Sequence, residues 1–546
     1  MTVKSNGTSV EWLRFQRWRV PLALWLALFM VSFNVYLMTV VIVPIARDLN
    51  TALANVQPAL VLIALVTASF VPTGQNLGDI YGHKRVFMLG LATFGLGMVV
   101  AALSQRVAAL ILGYAIIAGL GATPLVTLPW TLMNRSYEGR QREYALLTLS
   151  LALAAGSVLG PFVGGLIATA AGWRWVFAPQ IVLGAIIWFL VQPVKETINR
   201  PATSVDWPGG LLSFLGLAAI LIGLNLSNDY GWWTPRKLFR LGECVIPPFA
   251  LSIAPTLIAA GLIFLGLFAV YRRRQRAARE KVLMWRMGLF RRRRFVVGLV
   301  TCLFYAIGTA GLTYTLYLFL QMFLGLTSFD AAVAALPYYV TMLLVLLATF
   351  QLSQWFTPKF MIQAGLGVLA LGLWILFNTL TPGVTPFQLL PPLVVMGAGA
   401  GLMVNQLAVL TLSVADAQNQ GEANGIYSAL QDLGYAVGIS IFGVGLIHLI
   451  VVGAISSALA DLNLTVTKTE RQTIIIEVEE AMLTLSLEEL NAGLAQLPPE
   501  EANALTAAAY LEGFEAMRQT LLAILITVLC ALVASLFLPR RVTDRP

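Results

Sequence analysis

Long apolar stretches recur along the whole chain and constrain its fold more than any other feature. A helix that crosses a membrane needs ~20 consecutive apolar residues. Polar residues, prolines and glycines divide this sequence into fourteen such stretches, at approximately 20–46, 53–74, 86–104, 107–133, 145–169, 175–193, 208–227, 252–271, 295–323, 330–353, 361–380, 386–412, 423–452 and 519–538. We therefore predict an all-α integral membrane fold with fourteen transmembrane helices.

Charge is scarce along the chain. Charged residues make up 11% of the 546 residues, whereas ~25% is usual in a soluble domain. Hydrophobic residues make up 58%, and the mean hydropathy is +0.81. So few charges cannot cover a soluble surface, which excludes a secreted enzyme, a disordered protein, a collagen-like fibre and a single-anchor receptor.

The positions of Lys and Arg predict the orientation of the chain. With both termini placed in the cytoplasm, 26 of the 35 Lys and Arg residues lie on the inner side and nine on the outer side, and none lies within a span. This is the bias of the positive-inside rule. Eleven bases between 272 and 294 fit this anchoring better than a nucleic-acid site. We expect a multi-pass protein of a bacterial-type cytoplasmic (plasma) membrane, with both termini cytoplasmic.

The segment 453–517, between the last two spans, differs from the other connections. It carries eleven acidic residues and two bases. Ser486 and Glu489 have the spacing of a capping box. The run Pro498-Pro499-Glu500-Glu501 is a typical helix start, and the helix is expected to continue into the last span. We predict an extracytoplasmic helical hairpin here.

An internal repeat divides the chain into two halves. At an offset of 275, residues Leu77, Lys84, Gly90, Leu91, Leu96 and Gly97 match Leu352, Lys359, Gly365, Leu366, Leu371 and Gly372. The repeat predicts pseudo-symmetric six-helix bundles at 1–198 and 295–546, the second including the hairpin. Two additional central helices and a basic cytoplasmic linker fill 199–294. Duplicated halves that rock about a midplane site are typical of secondary transporters.

Several motifs carry a resemblance to a known family. LGDIYGHKRVFMLG, residues 77–90, resembles the signature loop of the major facilitator superfamily, and GSVLGPFVGG, residues 156–165, resembles its antiporter motif. GWRWVF, VDWPGGLL, LFRRRRF and LTSFDAAVAALP follow in order. The set is similar to the fourteen-helix drug/proton antiporter branch, the multidrug-efflux type, over essentially the whole chain. The resemblance implies a membrane exporter that works by alternating access.

The motif residues also have physical roles of their own. The expected conformational latch consists of Asp79, Gly82, Lys84 and Arg85. The Asp79 carboxylate can accept from the N-terminal amides of a neighbouring helix, while the two bases face anionic headgroups. The antiporter motif consists of Gly156, Gly160, Pro161, Gly164 and Gly165. Its glycines leave a stripe for close helix approach and its proline bends the helix. The resemblance places this stripe between the halves, and ordinary tight packing is the alternative.

Two charges that relatives usually keep are missing. The first span has Asn34 or Val35 where an acid is expected, and the fourth has Ala115 where an arginine is expected. Among the 26 acids, Asp432 in the thirteenth span is the one clear intramembrane candidate. An acid at this depth costs ~2.5–3.5 kcal/mol on insertion scales, so it should face protein or water. Asp432 is a candidate for proton coupling or substrate binding, and a structural hydrogen bond near the inner surface is the alternative.

Uncharged polar residues within the spans are candidates for the lining of a substrate cavity. The candidates are Asn34, Tyr36, Tyr305, Tyr314, Asn405, Gln406 and Gln431. Such side chains also form ordinary interhelical hydrogen bonds. A cavity with few charges suits bulky amphipathic molecules held by apolar contact. We therefore expect neutral, zwitterionic or lipid-like substrates to be favoured over dications.

The leading hypothesis is a secondary exporter of amphipathic or hydrophobic small molecules. We expect a monomer that contacts membrane lipids, with protons as a candidate coupling ion. A lipid or glycolipid translocase and a non-transporting receptor or sensor remain as alternatives. The sequence contains no Walker-type loop, no metal-ligand spacing and no plausible catalytic triad. We predict no enzyme activity, no cofactor, no metal and no nucleic-acid partner. Three cysteines without a CxxC pair predict no disulfide framework.

Overall fold

Apolar helices make up most of the described chain. The computed structural model describes residues 7–136, 139–193, 196, 207–230, 233, 240–241, 244–245, 251–278, 289, 292–413, 415, 420–462 and 466–539. Among these residues, 13 helices are long and apolar enough to cross a membrane. The all-α membrane class predicted from the sequence is confirmed. A fourteenth helix has a shorter apolar stretch, Pro208–Leu224, so the count of fourteen spans stays a prediction.

The helices of the first half and the centre follow the order of the predicted spans. They are α1 (Gly7–Asp48), α2 (Leu53–Tyr81), α3 (His83–Ala102), α4 (Val107–Leu110, the π-helical Ile111–Ile117 and Ala118–Ser136), α5 (Gly139–Ala170), a 3-10 turn (Trp173–Phe177) leading into α6 (Ala178–Val191), α7 (Trp207–Tyr230) and α8 (Ile253–Ala278). A two-residue antiparallel strand pair, Arg240–Leu241 with Cys244–Val245, lies between α7 and α8. Residues 279–288 of the basic linker lie outside the described chain.

The helices of the second half include two that do not cross the bundle. They are α9 (Arg293–Met322), α10 (Ser328–Leu352), α11 (Pro358–Thr379), a 3-10 turn (Pro386–Leu389) leading into α12 (Leu390–Leu412), α13 (Gln420–Asp461), α14 (Lys468–Thr484), α15 (Leu487–Leu494) and α16 (Pro499–Ser535). Threonine N-caps begin α10 and α11, where Thr327 and Thr357 accept from the backbone N–H three residues later. The motif LTSFDAAVAALP therefore marks a helix start.

The two ends of the bundle carry different connections. One end, the termini face, carries Gly82, Thr357 and the end of α16, and the opposite end, the hairpin face, carries Asp48, Gly172 and helices α14 and α15. At the hairpin face, Asp48 accepts from Trp173 Nε1 at 3.0 Å and from Arg174 Nη1 at 2.5 Å. The motif GWRWVF thus anchors the start of the sixth span to the end of the first.

The segment between the last two spans is helical and packs against the bundle. Ser486 and Glu489 form a reciprocal capping box, and Thr467 and Glu470 form a second one. Backbone hydrogen bonds from Ser486 and Thr467 hold the pKa of both glutamates below its ordinary value. Helix α14 contacts α13 and α2, which belong to different halves. The segment therefore lies across the junction of the halves.

The central pair of helices covers one side of the same junction. Gly216 and Gly223 of α7 face Gly261 and Ala254 of α8, so the two helices run antiparallel with close backbone contact. Helix α7 also contacts α2 and α13. The other side of the junction is formed by α5 and α10. These contacts fit bundles at 1–198 and 295–546, and that division stays a prediction.

Candidate functional site

A cavity of about 510 Å³ lies between the first six and the last six spans. Its walls come from α1, α2, α4 and α5 of the first half and from α9, α10, α12 and α13 of the second. On every one of these helices, the lining residues lie in the middle or in the part towards the termini face. Trp130, Ser150, Ser413 and Asn424 line the end nearest that face. The cavity is therefore set between the halves and away from the hairpin face.

The lining combines aromatic and uncharged polar side chains with a single acid. Its tyrosines are Tyr36, Tyr305, Tyr338, Tyr339, Tyr427 and Tyr435, and its amides are Asn34, Asn405, Asn424 and Gln431. Asp432 is the one formally charged residue among the lining residues that the structure describes. Apolar walls with a few polar groups are typical of small-molecule sites. The cavity can bind a bulky ligand mainly by apolar contact and orient it with few hydrogen bonds.

Helix α13 contributes the most regular wall of the cavity. Its lining residues are Asn424, Tyr427, Ser428, Gln431, Asp432 and Tyr435. The spacing of three and four residues places all six on one helical face. The polar face of α13 therefore points into the cavity, and the helix also packs against α9 and α2.

Asp432 reaches the cavity without a fixed partner. The residue is partly exposed, and its Oδ2 atom is buried with no hydrogen-bond partner among the described residues. The Oδ1 atom of Asn34 is also buried and unpartnered there. A buried polar atom without a partner is costly unless a ligand, a proton or water satisfies it. The geometry thus leaves Asp432 available for an exchangeable partner.

Tyrosines close the end of the cavity that lies towards the hairpin face. The ring of Tyr36 on α1 lies 5.9 Å from that of Tyr339 and 6.5 Å from that of Tyr435, both edge to face. Tyr339 in turn contacts Tyr338 at 5.0 Å. Because α1 belongs to the first half and the other tyrosines to the second, this cluster joins the halves at the deep end of the cavity.

The structure brings together five of the seven residues that the sequence suggested for the lining. Asn34, Tyr36, Tyr305, Asn405 and Gln431 line the cavity. Tyr314 and Gln406 do not. Tyr314 lies nine residues after Tyr305, which at ~100° per residue turns it to the opposite side of α9, where it packs against Gly443. Gln406 is buried on a different side of α12 from its neighbour Asn405.

The two positions where relatives usually carry a charge lie in different surroundings. Asn34 and Val35 line the cavity. The expected position of the acid in the first span is therefore part of the site, but no acid stands there. Ala115 is fully buried in the π-helical turn of α4 and does not line the cavity. The sequence did not suggest Trp130 or the tyrosines at 338, 339, 427 and 435. The three-and-four spacing along α13 is the signal that could have indicated the last two.

The glycine stripe of the antiporter motif lies mainly against α1. A Cβ atom built on Gly156, Gly160 or Gly164 would meet α1 residues at 2.7–2.9 Å, which is closer than real Cβ contacts. Gly165 instead faces the backbone of Ser328 at the start of α10. Three of the four glycines thus pack within the first half. The expected interface between the halves is carried by Gly165, because α5 turns this one glycine towards the other half.

The signature loop contains a partner that the sequence did not indicate. Glu196, beyond the end of α6, accepts from the backbone N–H groups of Lys84 and Arg85 at 3.1 and 3.2 Å. These amides begin α3, where the helix dipole favours a negative charge. Asp79 instead lies 3.3 Å from the His83 ring. Glu196 therefore caps the start of α3 from 112 residues beyond Lys84, and the amide-capping role of Asp79 at a neighbouring helix stays a prediction.

Gly82→Ala is expected to destabilise this loop through two effects. Gly82 has φ +106°, which costs an alanine ~1–3 kcal/mol. A Cβ atom there would also lie 2.3 Å from Glu196 Oε1 and would displace the cap of α3. Thermal unfolding in detergent measures the loss. Gly172→Ala is the matched control, because Gly172 has φ +93° and no atom within 4 Å of the added carbon. Equal losses in the two variants would contradict a contribution from Glu196.

No group of three or more His, Cys, Asp and Glu side chains within the described part of the chain could hold a metal ion. His83 and His448 lie apart, the first next to Asp79 and the second against Glu479 of α14. Cys302 and Cys530 are free. The groups that line the cavity are aromatic, amide and carboxyl side chains, which can bind a ligand directly.

Comparison with known proteins places this architecture in one family. The sequence profile of the Major Facilitator Superfamily matches residues 24–439. The probable actinorhodin transporter of Streptomyces coelicolor is 29% identical over 410 residues, which cover 73% of this chain and 67% of that protein. The cephamycin export protein CmcT of Amycolatopsis lactamdurans is 28% identical, with 76% and 82% covered. The quinolone resistance protein NorB of Staphylococcus aureus is 26% identical, with 74% and 82% covered.

Solved structures share the fold. A bacterial homologue of the human lysosomal transporter Spinster, inward-facing and unoccupied, has a TM-score of 0.59 at 16% identity and covers 95% of this chain and 97% of its own. A D-xylose–proton symporter has a TM-score of 0.55 at 15% identity, with 85% and 97% covered. Since the family profile spans most of the chain and the helices enclose a cavity between two halves, the chain belongs to the Major Facilitator Superfamily and is a membrane transporter, not an enzyme.

Proposed function

We propose that the protein is a secondary exporter of amphipathic small molecules that works by alternating access. The observation that carries the proposal is the cavity itself, which eight helices from both halves enclose and whose described lining residues include a single acid. Relatives named as an actinorhodin transporter, a cephamycin exporter and a quinolone resistance protein support export of small organic compounds. The division into bundles at 1–198 and 295–546 supplies the two bodies that rock about the cavity.

The orientation of the chain in the membrane indicates which side of the membrane the cavity faces. We assign the termini face to the cytoplasm, and the excess of Lys and Arg on that side supports this orientation. The cavity extends from the tyrosine cluster towards that face, while contacts between the halves occupy the hairpin face. The chain is therefore in an inward-facing state, in which substrate enters from the cytoplasm or the inner leaflet. Export requires the hairpin face to open.

The lining predicts the class of substrate. Six tyrosines and Trp130 provide broad apolar and π surfaces, and amides provide adaptable hydrogen bonds. A second charge on a ligand would have no lining carboxylate to pair with, and an unpaired buried charge is costly. Neutral, zwitterionic and singly charged amphipathic molecules should therefore bind better than dications. Asp432 is the residue to which we assign proton coupling.

Flux measurements on the reconstituted protein test this function. Proteoliposomes with imposed pH and voltage gradients would be screened with a monovalent lipophilic dye, a matched dication and a fluorescent lipid. Gradient-dependent movement of the monovalent dye, with little movement of the dication, is expected. Movement of the lipid alone would replace the exporter with a lipid or glycolipid translocase. Stable, folded protein without flux of any probe would favour a receptor or sensor.

A further inference from the structure

Two glutamine side chains cross between the halves at the hairpin face. Gln57, near the start of α2, donates from Nε2 to the backbone carbonyl of Ile439 on α13 at 3.1 Å. Gln321, near the end of α9, donates from Nε2 to the backbone carbonyl of Val40 on α1 at 3.0 Å. Each half therefore offers one amide to the main chain of the other. Both side chains are at least 96% buried.

The Gln321 contact connects directly to the packing of α5 against α10. Its Oε1 atom accepts from Ser328 Oγ at 3.1 Å. The backbone of Ser328 is the surface that Gly165 approaches, and the next backbone N–H, of Phe329, donates to Thr169 Oγ1 at 3.2 Å. Gln321 thus connects α1, α9 and the first residues of α10. The first residues of α10 also pack against α5. One amide organises this side of the hairpin face.

The Gln57 contact occupies the other side of the junction. Its Nε2 atom would lie 3.0 Å from a Cβ atom built on Gly443, so the absence of a side chain at Gly443 provides the room for the amide. Tyr314 closes the same space at 2.5 Å from that built atom. This explains why Tyr314 is buried here and not in the cavity. The two amides therefore lie on the α2–α13 and α1–α9 contacts.

We propose that Gln57 and Gln321 are the reciprocal latches that hold the hairpin face closed during transport. The inference rests on the alternating-access function proposed above. The Ile439 carbonyl lies within α13, and its second lone pair lets it keep its own helix bond when the latch breaks. The Val40 carbonyl has no such bond, because the residue four positions on is Pro44, which has no N–H, so Gln321 supplies its partner. Opening therefore breaks no helical hydrogen bond, and water can solvate the released amides and the Val40 carbonyl. Each such bond should change the equilibrium constant between the closed and open hairpin face by roughly two- to tenfold. It is thus strong enough to bias the equilibrium and weak enough to break in every cycle.

Distances between spin labels at the hairpin face test the latches. Labels on Gln105 and Thr381, both exposed and in different halves, would be placed in a protein whose three cysteines are replaced. Gln57→Met and Gln321→Met keep the length of the side chain but remove the amide. Each variant should raise the ratio of long to short distances by roughly two- to tenfold, and the double variant by about the product. Gln57→Asn and Gln321→Asn, which are too short to reach, should act in the same direction if a methionine variant fails to fold.

Gln363→Met is the matched control, because Gln363 Nε2 donates to the Ser535 carbonyl at 3.4 Å within the second half. This control should leave the distance ratio unchanged. If the wild type exchanged between two distances and the latch variants showed the same distance ratio, the latches would be overturned but alternating access would not. A shift of the distance ratio in Gln363→Met equal to that in the latch variants would have the same meaning. A wild type fixed at one distance under every substrate and pH condition would overturn alternating access, and the latches with it.

Discussion

Asp432→Asn is expected to abolish the dependence of transport on a pH gradient. Asparagine has nearly the same shape as aspartate and preserves the packing of α13, but it cannot bind and release a proton. Asp432 is the single acid among the described residues that line the cavity, and its Oδ2 atom has no fixed partner there. Since no other described lining residue carries a carboxyl group, a fall of roughly tenfold or more in gradient-driven accumulation is expected, equivalent to ~1.4 kcal/mol or more.

The measurement uses everted vesicles or proteoliposomes loaded with a monovalent lipophilic dye, with and without an imposed pH gradient. Asp461→Asn is the matched control. It makes the same chemical change on the same helix, but Asp461 is exposed at the end of α13 beyond the cavity. Only Asp432→Asn should lose the difference in dye transport between vesicles with and without the pH gradient. If Asp432→Asn retained that difference in full, the coupling role of this residue would be excluded.

Hydropathy and charge made the membrane-spanning helices predictable. The apolar stretch at 53–74 predicts the second span, and α2 runs Leu53–Tyr81; the stretch at 295–323 predicts the ninth, and α9 runs Arg293–Met322. Lipid imposes a minimum length and excludes charge, so these segments need no tertiary information. The same exclusion identified Asp432, because an acid inside a span stands out against an apolar background.

The direction in which each polar side chain points was less accessible from the sequence. Tyr305 and Tyr314 are both tyrosines in one apolar helix, yet the first lines the cavity and the second packs against Gly443. A membrane helix has no water-facing side to fix its rotation, so its periodicity does not separate a cavity wall from a helix contact. On α13 the polar residues were numerous enough to form a stripe, and there the spacing did carry the information.

Contacts between distant segments could not be predicted at all. Glu196 caps α3 from beyond α6, and Gln57 reaches α13 across 382 residues. Each is a single polar residue without a local motif. Their roles depend on how six-helix sets pack, which no spacing in the sequence encodes.

Gly165→Leu is expected to prevent closure of the hairpin face and to eliminate most transport, with Gly165→Ala as the milder form. Even the first added carbon would lie 2.5 Å from the Ser328 carbonyl oxygen and 2.9 Å from its carbon. These are backbone atoms at the start of α10, so they cannot rotate away, and α5 must separate from α10. Overpacking of this kind costs ~1–3 kcal/mol, which shifts the equilibrium between closed and open by roughly 5–150-fold.

Accessibility of the cavity from the hairpin face measures this shift. Thr309 lines the cavity, and a cysteine placed there in a protein without other cysteines would react with a membrane-impermeant thiol reagent faster in the Gly165 variants. Gly367→Ala is the control, since Gly367 also lies within a spanning helix but has no atom within 4 Å of an added Cβ. Alanine is the better helix former, so a loss at 165 reflects contact between the halves and not a weakened α5. Unchanged reactivity and flux in Gly165→Leu would show that α5 and α10 do not need this close approach.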